Sequence, residues 1–232
     1  MIRTMIRSSG VLKGWVTQKG FIAQSCHPRF RMLSSKSVVS DLASALANEI
    51  AGEENNDDID QEFVDLQKQI LANFSIKEEP GNSKVTLFRS TKAEKLTIQF
   101  NVQDVEEDDG ELEDMDLENE ADLDQEPSPA LKFEATLSKG EEKLIFYCVA
   151  AKYLRVENIQ ILPPGKEATD VDLYNGPIFD DLDEELRNAL KDYLAERKVD
   201  DDLSYFILNF ARRKEQKEYL NWLNQTLNFV EK

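Results

Sequence analysis

The order of hydrophobic periods along the chain predicts an α+β fold. Helical spacing near the start gives way to strict alternation through the middle, and helical spacing returns at the end. Short turn signals separate the alternating runs, which points to neighbouring strands of an antiparallel sheet.

Val38, Val39, Leu42, Leu46 and Ile50 recur at helical spacing, so residues 38–52 read as an amphipathic helix that the Gly52–Asp58 stretch breaks. Ile59, Phe63, Leu66 and Ile70 repeat the pattern over a shorter helix. The period then changes to two. Val85, Leu87 and Arg89 alternate with Thr86 and Phe88, and Leu96, Ile98, Phe100 and Val102 alternate with Thr97, Gln99 and Asn101. Leu131, Phe133, Ala135 and Leu137 alternate with Lys132, Glu134 and Thr136. Residues 143–150 are apolar on both faces, which suits a central or helix-covered strand, and 153–162 is a further strand. Pro80-Gly81-Asn82, Ser138-Lys139-Gly140 and Pro163-Pro164-Gly165 supply the turns. Phe179, Leu182, Leu186, Leu190, Tyr193 and Leu194 mark a helix that Asp180 or Asp181 would cap. Asp200, Asp201 and Asp202 open the next, whose apolar face runs from Leu203, Phe206, Ile207 and Phe210 to Leu220, Leu223, Leu227 and Val230.

Charge is distributed as unevenly as period. The first forty residues hold seven of the 28 Lys and Arg and none of the 46 acids, which leaves 21 bases and a net charge of −25 after Ser40. The basic, Ser-containing start has Ile2 and Ile6 on one helical face and Arg3 and Arg7 on another, the pattern of a mitochondrial transit peptide. Arg31-Met32-Leu33-Ser34 fits a matrix-protease site, so residues 1–33 are read as a presequence and 34–232 as a single domain. A basic arm that stays attached is the alternative. No run approaches the roughly 18 apolar residues of a membrane-spanning helix.

Residues 104–126 contain fourteen acids and no Lys or Arg, which is expected to give a solvated, disordered loop between two strands. Either a spacer or a binding element fits that composition. As a calcium loop it fails: placing Gly110 at the sixth position of an EF-hand puts Val105 at the first, where an oxygen ligand is required.

Removing the presequence would remove His27, the sole histidine, and Cys26, leaving Cys148 alone. Such a chain forms no internal disulfide and lacks the commonest acid–base and zinc-binding side chain. Cys148 lies in an apolar strand and reads as a buried, inert thiol. The chain has no Gly-rich phosphate loop, Cys-x-x-Cys pair or Gly-x-Ser-x-Gly elbow. Carboxylate pairs such as Glu184-Glu185 follow from composition and suit a solvated face. No catalytic residue, cofactor or metal is expected. Arg212, Arg213, Lys214 and Lys217 form a basic cluster better explained by pairing with nearby acids than by nucleic acid, given the net charge. Asn73-Phe74-Ser75 and Asn224-Gln225-Thr226 match the glycosylation pattern but have no such role in a matrix protein.

The C-terminal run carries a resemblance. Tyr174-Asn175-Gly176-Pro177-Ile178-Phe179, Leu182-Asp183-Glu184-Glu185-Leu186, Tyr193-Leu194-Ala195-Glu196-Arg197-Lys198-Val199, Phe206-Ile207 and Glu218-Tyr219-Leu220-Asn221-Trp222-Leu223 closely resemble the mitochondrial acidic matrix protein family, also called the mitochondrial glycoprotein family. The resemblance implies one N-terminal helix, a seven-stranded, highly twisted antiparallel sheet and two C-terminal helices, assembled as a doughnut-shaped homotrimer. It also implies a matrix protein without known catalytic residues that supports mitochondrial translation, ribosome assembly and oxidative phosphorylation.

Charge and resemblance together lead to an expected function: an acidic scaffold or chaperone for basic partners such as mitochondrial ribosomal or RNA-binding proteins. Its expected working surface comprises Asp104, Glu106, Glu107, Asp108, Asp109, Glu111, Glu113, Asp114, Asp116 and Glu118 from the acidic segment, with Asp180, Asp181, Asp183, Glu184 and Glu185 at the start of the third helix. A regulatory binder of one defined complex or RNA is the other reading.

Overall fold

A computed structural model describes residues 35–54, 61–108, 128–170 and 172–232. Two helices come first, α1 (Ser35–Glu53) and α2 (Gln61–Asn73). Six strands follow: β1 (Ser75–Lys77), β2 (Lys84–Ser90), β3 (Lys95–Asp108), β4 (Ser128–Lys139), β5 (Glu142–Ala150) and β6 (Leu154–Leu162). Helices α3 (Glu184–Ala195) and α4 (Asp201–Val230) complete the chain. The strands pair in sequence order, every pair antiparallel, as the short turns predict.

One face of this meander is dry. Val85, Leu87, Ile98, Phe100, Leu131, Phe133, Ala135, Phe146 and Cys148 are buried in a single core. These are the positions that alternation places on one side of the sheet. Helix α4, about 45 Å long at the helical rise, lies against β3, β4 and β5 and buries Leu203, Phe206, Ile207 and Ala211. Phe206 stacks on Phe63 of α2 with centroids 5.9 Å apart, and Phe210 meets Phe100 edge-on at 6.3 Å. Two polar anchors fix the start of α4. Asp200 caps it by accepting from the Leu203 amide, and Ser204 Oγ both accepts from the Ala151 amide and donates to the Ala151 carbonyl.

Several expectations need correction. The sheet has six strands among the described residues where the resemblance implies seven. β1 is too short to show alternation. After β6 the Tyr174–Phe179 run forms one isolated β-bridge to it, Asn158 with Ile178, and individual hydrogen bonds beside it, but no strand; Pro177 has no amide to extend a ladder. Two helices precede the sheet where the resemblance implies one. Ile59 lies outside the described residues. The acidic segment starts inside the sheet: residues 104–108 belong to β3, with Glu106, Glu107 and Asp108 paired to Ala130, Pro129 and Ser128. Asp183, not Asp180 or Asp181, caps α3. The apolar positions of α1 are mostly uncovered: Leu46 is buried, but Val38, Val39 and Leu42 are exposed. Leu186 of α3 is likewise exposed.

Two irregularities aim the parts that follow. The β3–β4 register shifts between Phe100 and Val105, and Asn101 closes the bulge by donating to Asp104 and accepting from the Gln103 amide. The β5–β6 register shifts at Tyr147/Cys148. There the freed Glu157 carbonyl accepts from Phe179, while Asn158 donates to the Pro177 carbonyl. Gly176 sits at this junction with φ +87, where an added Cβ would fall 1.7 Å from the Ile159 carbonyl oxygen. Gly81 shares the left-handed backbone, φ +77, but has open space around it. Gly81→Ala is therefore expected to cost about 1–2 kcal/mol from backbone conformation alone. Gly176→Ala should cost clearly more. Urea midpoints of the two variants check this order.

Candidate functional site

The expected acidic surface divides into two described groups. Asp104 and Glu106 stand exposed on β3, and Asp180, Asp181, Asp183, Glu184 and Glu185 stand exposed around the start of α3. Glu107 and Asp108 end β3. Asp109, Glu111, Glu113, Asp114, Asp116 and Glu118 lie outside the described residues. No described contact joins the two groups.

Each group has a local cause. Asp104 is held by the β3 bulge, at the rim of an open groove of about 420 Å³ on the polar side of the sheet. Glu134 and Glu157 share that groove with Lys84 and Lys132, and Lys132 is 3.2 Å from Glu157. At α3, the Asp183 carboxylate accepts from the Glu185 amide at 2.9 Å, so its charge serves the helix end. Asp180 lies 3.7 Å from Arg187. Glu184 and Glu185 make no ion pair among the described residues and line a shallow groove with Asn188 and Asp192. Asp192, Glu134 and Glu157 were not expected as part of the surface. Spacing of four between 184, 188 and 192 could have shown Asp192; Glu134 and Glu157 come together only through strand register.

Most described basic residues are exposed, but a few are built into the fold. Lys214 is buried and lies 2.7 Å from Glu218 and 3.5 Å from Glu78, and it also donates to the Glu79 carbonyl. Glu218 Oε2 accepts from the Gly81 amide, which ties the β1–β2 turn to α4. The Lys214 hydrogen bond, helped by that amide, holds the Glu218 carboxyl below its ordinary value. Arg213 lies over the Phe63 ring at 4.3 Å. Arg212 and Lys217 are exposed, so the pairing expected of the basic cluster holds for Lys214 but not for all four. Arg197 lies 3.6 Å over the Tyr193 ring and 2.8 Å from Glu94.

Cys148 is buried in β5, and burial pushes its thiol up to about 12. This is the inert thiol its apolar strand predicted. Tyr147, beside it, donates to the buried Gln160, which in turn donates to Asn175. Burial, then the Glu134 charge, raises the Tyr147 hydroxyl. Among the described residues no group of His, Cys, Asp and Glu is placed to hold a metal, and no helix is long and apolar enough to cross a membrane.

Comparison with known proteins places the whole arrangement. A family model described as mitochondrial glycoprotein matches residues 46–230. The mitochondrial acidic protein mam33 of Schizosaccharomyces pombe is 33% identical over 216 residues, covering 82% of this chain and 78% of its own length. An uncharacterized mitochondrial protein of Arabidopsis thaliana is 27% identical over 159 residues, 68% of this chain and 62% of that protein. The crystal structure of Trypanosoma brucei p22 superposes with a TM-score of 0.62 at 22% identity, over 84% of this chain and 99% of that one. A Leishmania major protein, described as of unknown function and homologous in sequence to human p32, gives 0.61 at 22% over 83% and 99%. These two show a shared fold.

Two outcomes follow from the geometry. The folded-state pKa of Glu218 is lowered, so its contribution is present at neutral pH and is lost as pH falls below the ordinary value of 4.5. Glu218→Gln should flatten that acid limb in pH-dependent urea unfolding; an unchanged limb would assign the acid sensitivity to other carboxylates. In a Cys26→Ser variant, Cys148 should resist a thiol reagent at pH 8 in the folded protein and react at once in denaturant.

Proposed function

The chain belongs to the mitochondrial glycoprotein family, and on that premise we propose that it is a non-enzymatic acidic scaffold or chaperone of the mitochondrial matrix. It engages basic proteins, ribosomal or RNA-binding, by their positive surfaces and supports mitochondrial translation, ribosome assembly and oxidative phosphorylation. Residues 1–33 act as the transit peptide and 34–232 as the mature domain.

The observation that carries this reading is the anionic excess of the chain together with the exposure of its acids. Lys214 and Arg197 are held in internal pairs, whereas Asp104, Glu106, Glu184 and Glu185 face solvent without an ion pair among the described residues. A chain starting at Ser34 keeps 22 bases against 46 acids, a net charge of −24. Such a charge attracts cationic surfaces over a range that screening limits to about 8 Å at physiological salt. Contacts made this way are reversible, as a chaperone for basic clients requires.

The exposed apolar positions of α1, with Phe229 at the far end of α4, support a homotrimer assembled through the terminal helices. Three chains would carry −72. The single-partner alternative differs in what it predicts for stoichiometry and for sensitivity to point substitution.

The test is binding of the full chain to a panel of basic and neutral mitochondrial proteins at low and high salt. Replacing the acids of 104–126 by Asn and Gln should lower association rates with basic clients about tenfold or more, and salt should do the same to the parent. Binding to many basic clients supports the scaffold. Saturable binding to one partner, indifferent to salt and to the acidic segment, would replace it with the regulatory reading. Light scattering should find three chains per particle.

A further inference from the structure

An open groove of about 560 Å³ lies between the C-terminal half of α4 and the side of the sheet formed by the β1–β2 turn and β3. Glu215, Glu218, Tyr219 and Trp222 line it from α4, and Val102 and Gln103 from β3. Their spacing on α4 places them on adjoining rows of one helical side. None of the lining residues is Lys or Arg.

Aromatic rings and carboxylates meet there in a fixed arrangement. Tyr219 and Trp222 stack with centroids 6.1 Å apart and planes 13° apart. Tyr219 is held by its hydroxyl, which donates to Glu49 of α1 at 3.1 Å. Trp222 remains 56% exposed, although a ring of this size is normally largely buried. Of the two carboxylates, Glu218 is engaged by Lys214 and Gly81. Glu215 is exposed and makes no ion pair among the described residues. The Tyr219 hydroxyl is raised first by its hydrogen bond to Glu49, then by burial and by the charges of Glu49, Glu53 and Glu215, so the negative field reaches the ring platform.

The same chain shows how it holds a guanidinium elsewhere. Arg197 lies 3.6 Å over the Tyr193 ring with a Glu94 carboxylate 2.8 Å from its Nε. The Trp222 groove offers the same two components, a ring face and a carboxylate. We propose that this groove docks an arginine side chain of a basic partner protein, its guanidinium stacked on the open indole face and its N–H edge directed at Glu215. The proposal rests on the reading of the chain as a binder of basic proteins and adds a fixed site to a diffuse field. Arginine is favoured over lysine because a planar, weakly hydrated guanidinium can stack and donate at once.

The full chain contains two tryptophans, so Trp15→Phe leaves Trp222 as the sole indole reporter. Hexa-arginine should change its emission saturably and bind more tightly than hexa-lysine. Trp222→Leu and Glu215→Gln, followed by anisotropy of labelled peptide, should each weaken hexa-arginine roughly three- to tenfold. Their urea midpoints should match the parent. Equal binding by all variants with unchanged emission would overturn the groove and leave the acidic-segment reading standing. Absence of any hexa-arginine binding would overturn both. Emission that follows protein concentration and ignores peptide would assign the groove to a second copy of the chain and overturn the proposal.

Discussion

A sheet whose strands all pair antiparallel in chain order has nothing of its own to cover its apolar face. Helical crossovers, which do that in parallel sheets, are absent from the described residues of the β1–β6 meander. The burden falls mainly on α4, with α2 beneath it. Phe206 is the joint: it stacks on Phe63, tilts against Phe210 at 5.4 Å and is wholly buried. Everything that follows in the molecule depends on α4 lying in that register. Its start is fixed by Asp200 and by the paired hydrogen bonds of Ser204 to Ala151, and its middle by Lys214. Leu223 is the last buried residue of the helix; Phe229 beyond it is exposed, and so is Trp222, which shares a turn with Leu223 but not its buried side.

The same requirement shapes the electrostatics. A buried ammonium such as Lys214 is tolerable only with close anionic and carbonyl partners, and Glu218, Glu78 and the Glu79 carbonyl provide them. Arg197 is satisfied by Glu94 and the Tyr193 face. Acids outnumber bases, 46 to 28, so these structural pairs draw on the scarcer charge. The unmatched remainder is anionic, and the fold leaves it at exposed positions on β3 and α3. The acidic surface is therefore set by composition: each internal pair removes an acid along with a base, so the excess of acids remains with the rest of the chain.

What was readable in the sequence and what was not divide along physical lines. Alternation in Leu131–Leu137 and Leu96–Val102, and helical spacing in Leu203–Phe210, report burial directly, and those elements lie where they were expected. The period of α1 was equally clear, yet Val38, Val39 and Leu42 are exposed, because periodicity states that a face is apolar without stating what covers it. Acid density points to a loop at 104–108, yet these residues lie in β3, where the backbone pairing of 105–108 with 128–131 takes precedence over side-chain repulsion. Asp183 was missed as a cap because four further acids surround it and any of them would serve the helix dipole. The groove at Trp222 was beyond reach, since Val102 and Glu215 become neighbours only once α4 crosses the sheet.

Diffuse acidity and a fixed groove answer different parts of one recognition problem. A field that is screened within about 8 Å gathers basic chains but does not distinguish one cation from another. A ring and a carboxylate at set positions do distinguish them, because stacking and hydrogen bonding need a planar donor. The bulge at Asn101–Asp104 bears on the first part. It redirects β3 before the acidic segment begins, so that Glu106 to Asp108 leave the sheet on a paired ladder. The Tyr219–Glu49 hydrogen bond bears on the second, since it fixes the platform between α1 and α4. The carboxylates of a highly acidic protein are interchangeable as sources of field. They cease to be so where the backbone gives one of them, Glu215, an aromatic neighbour of fixed orientation.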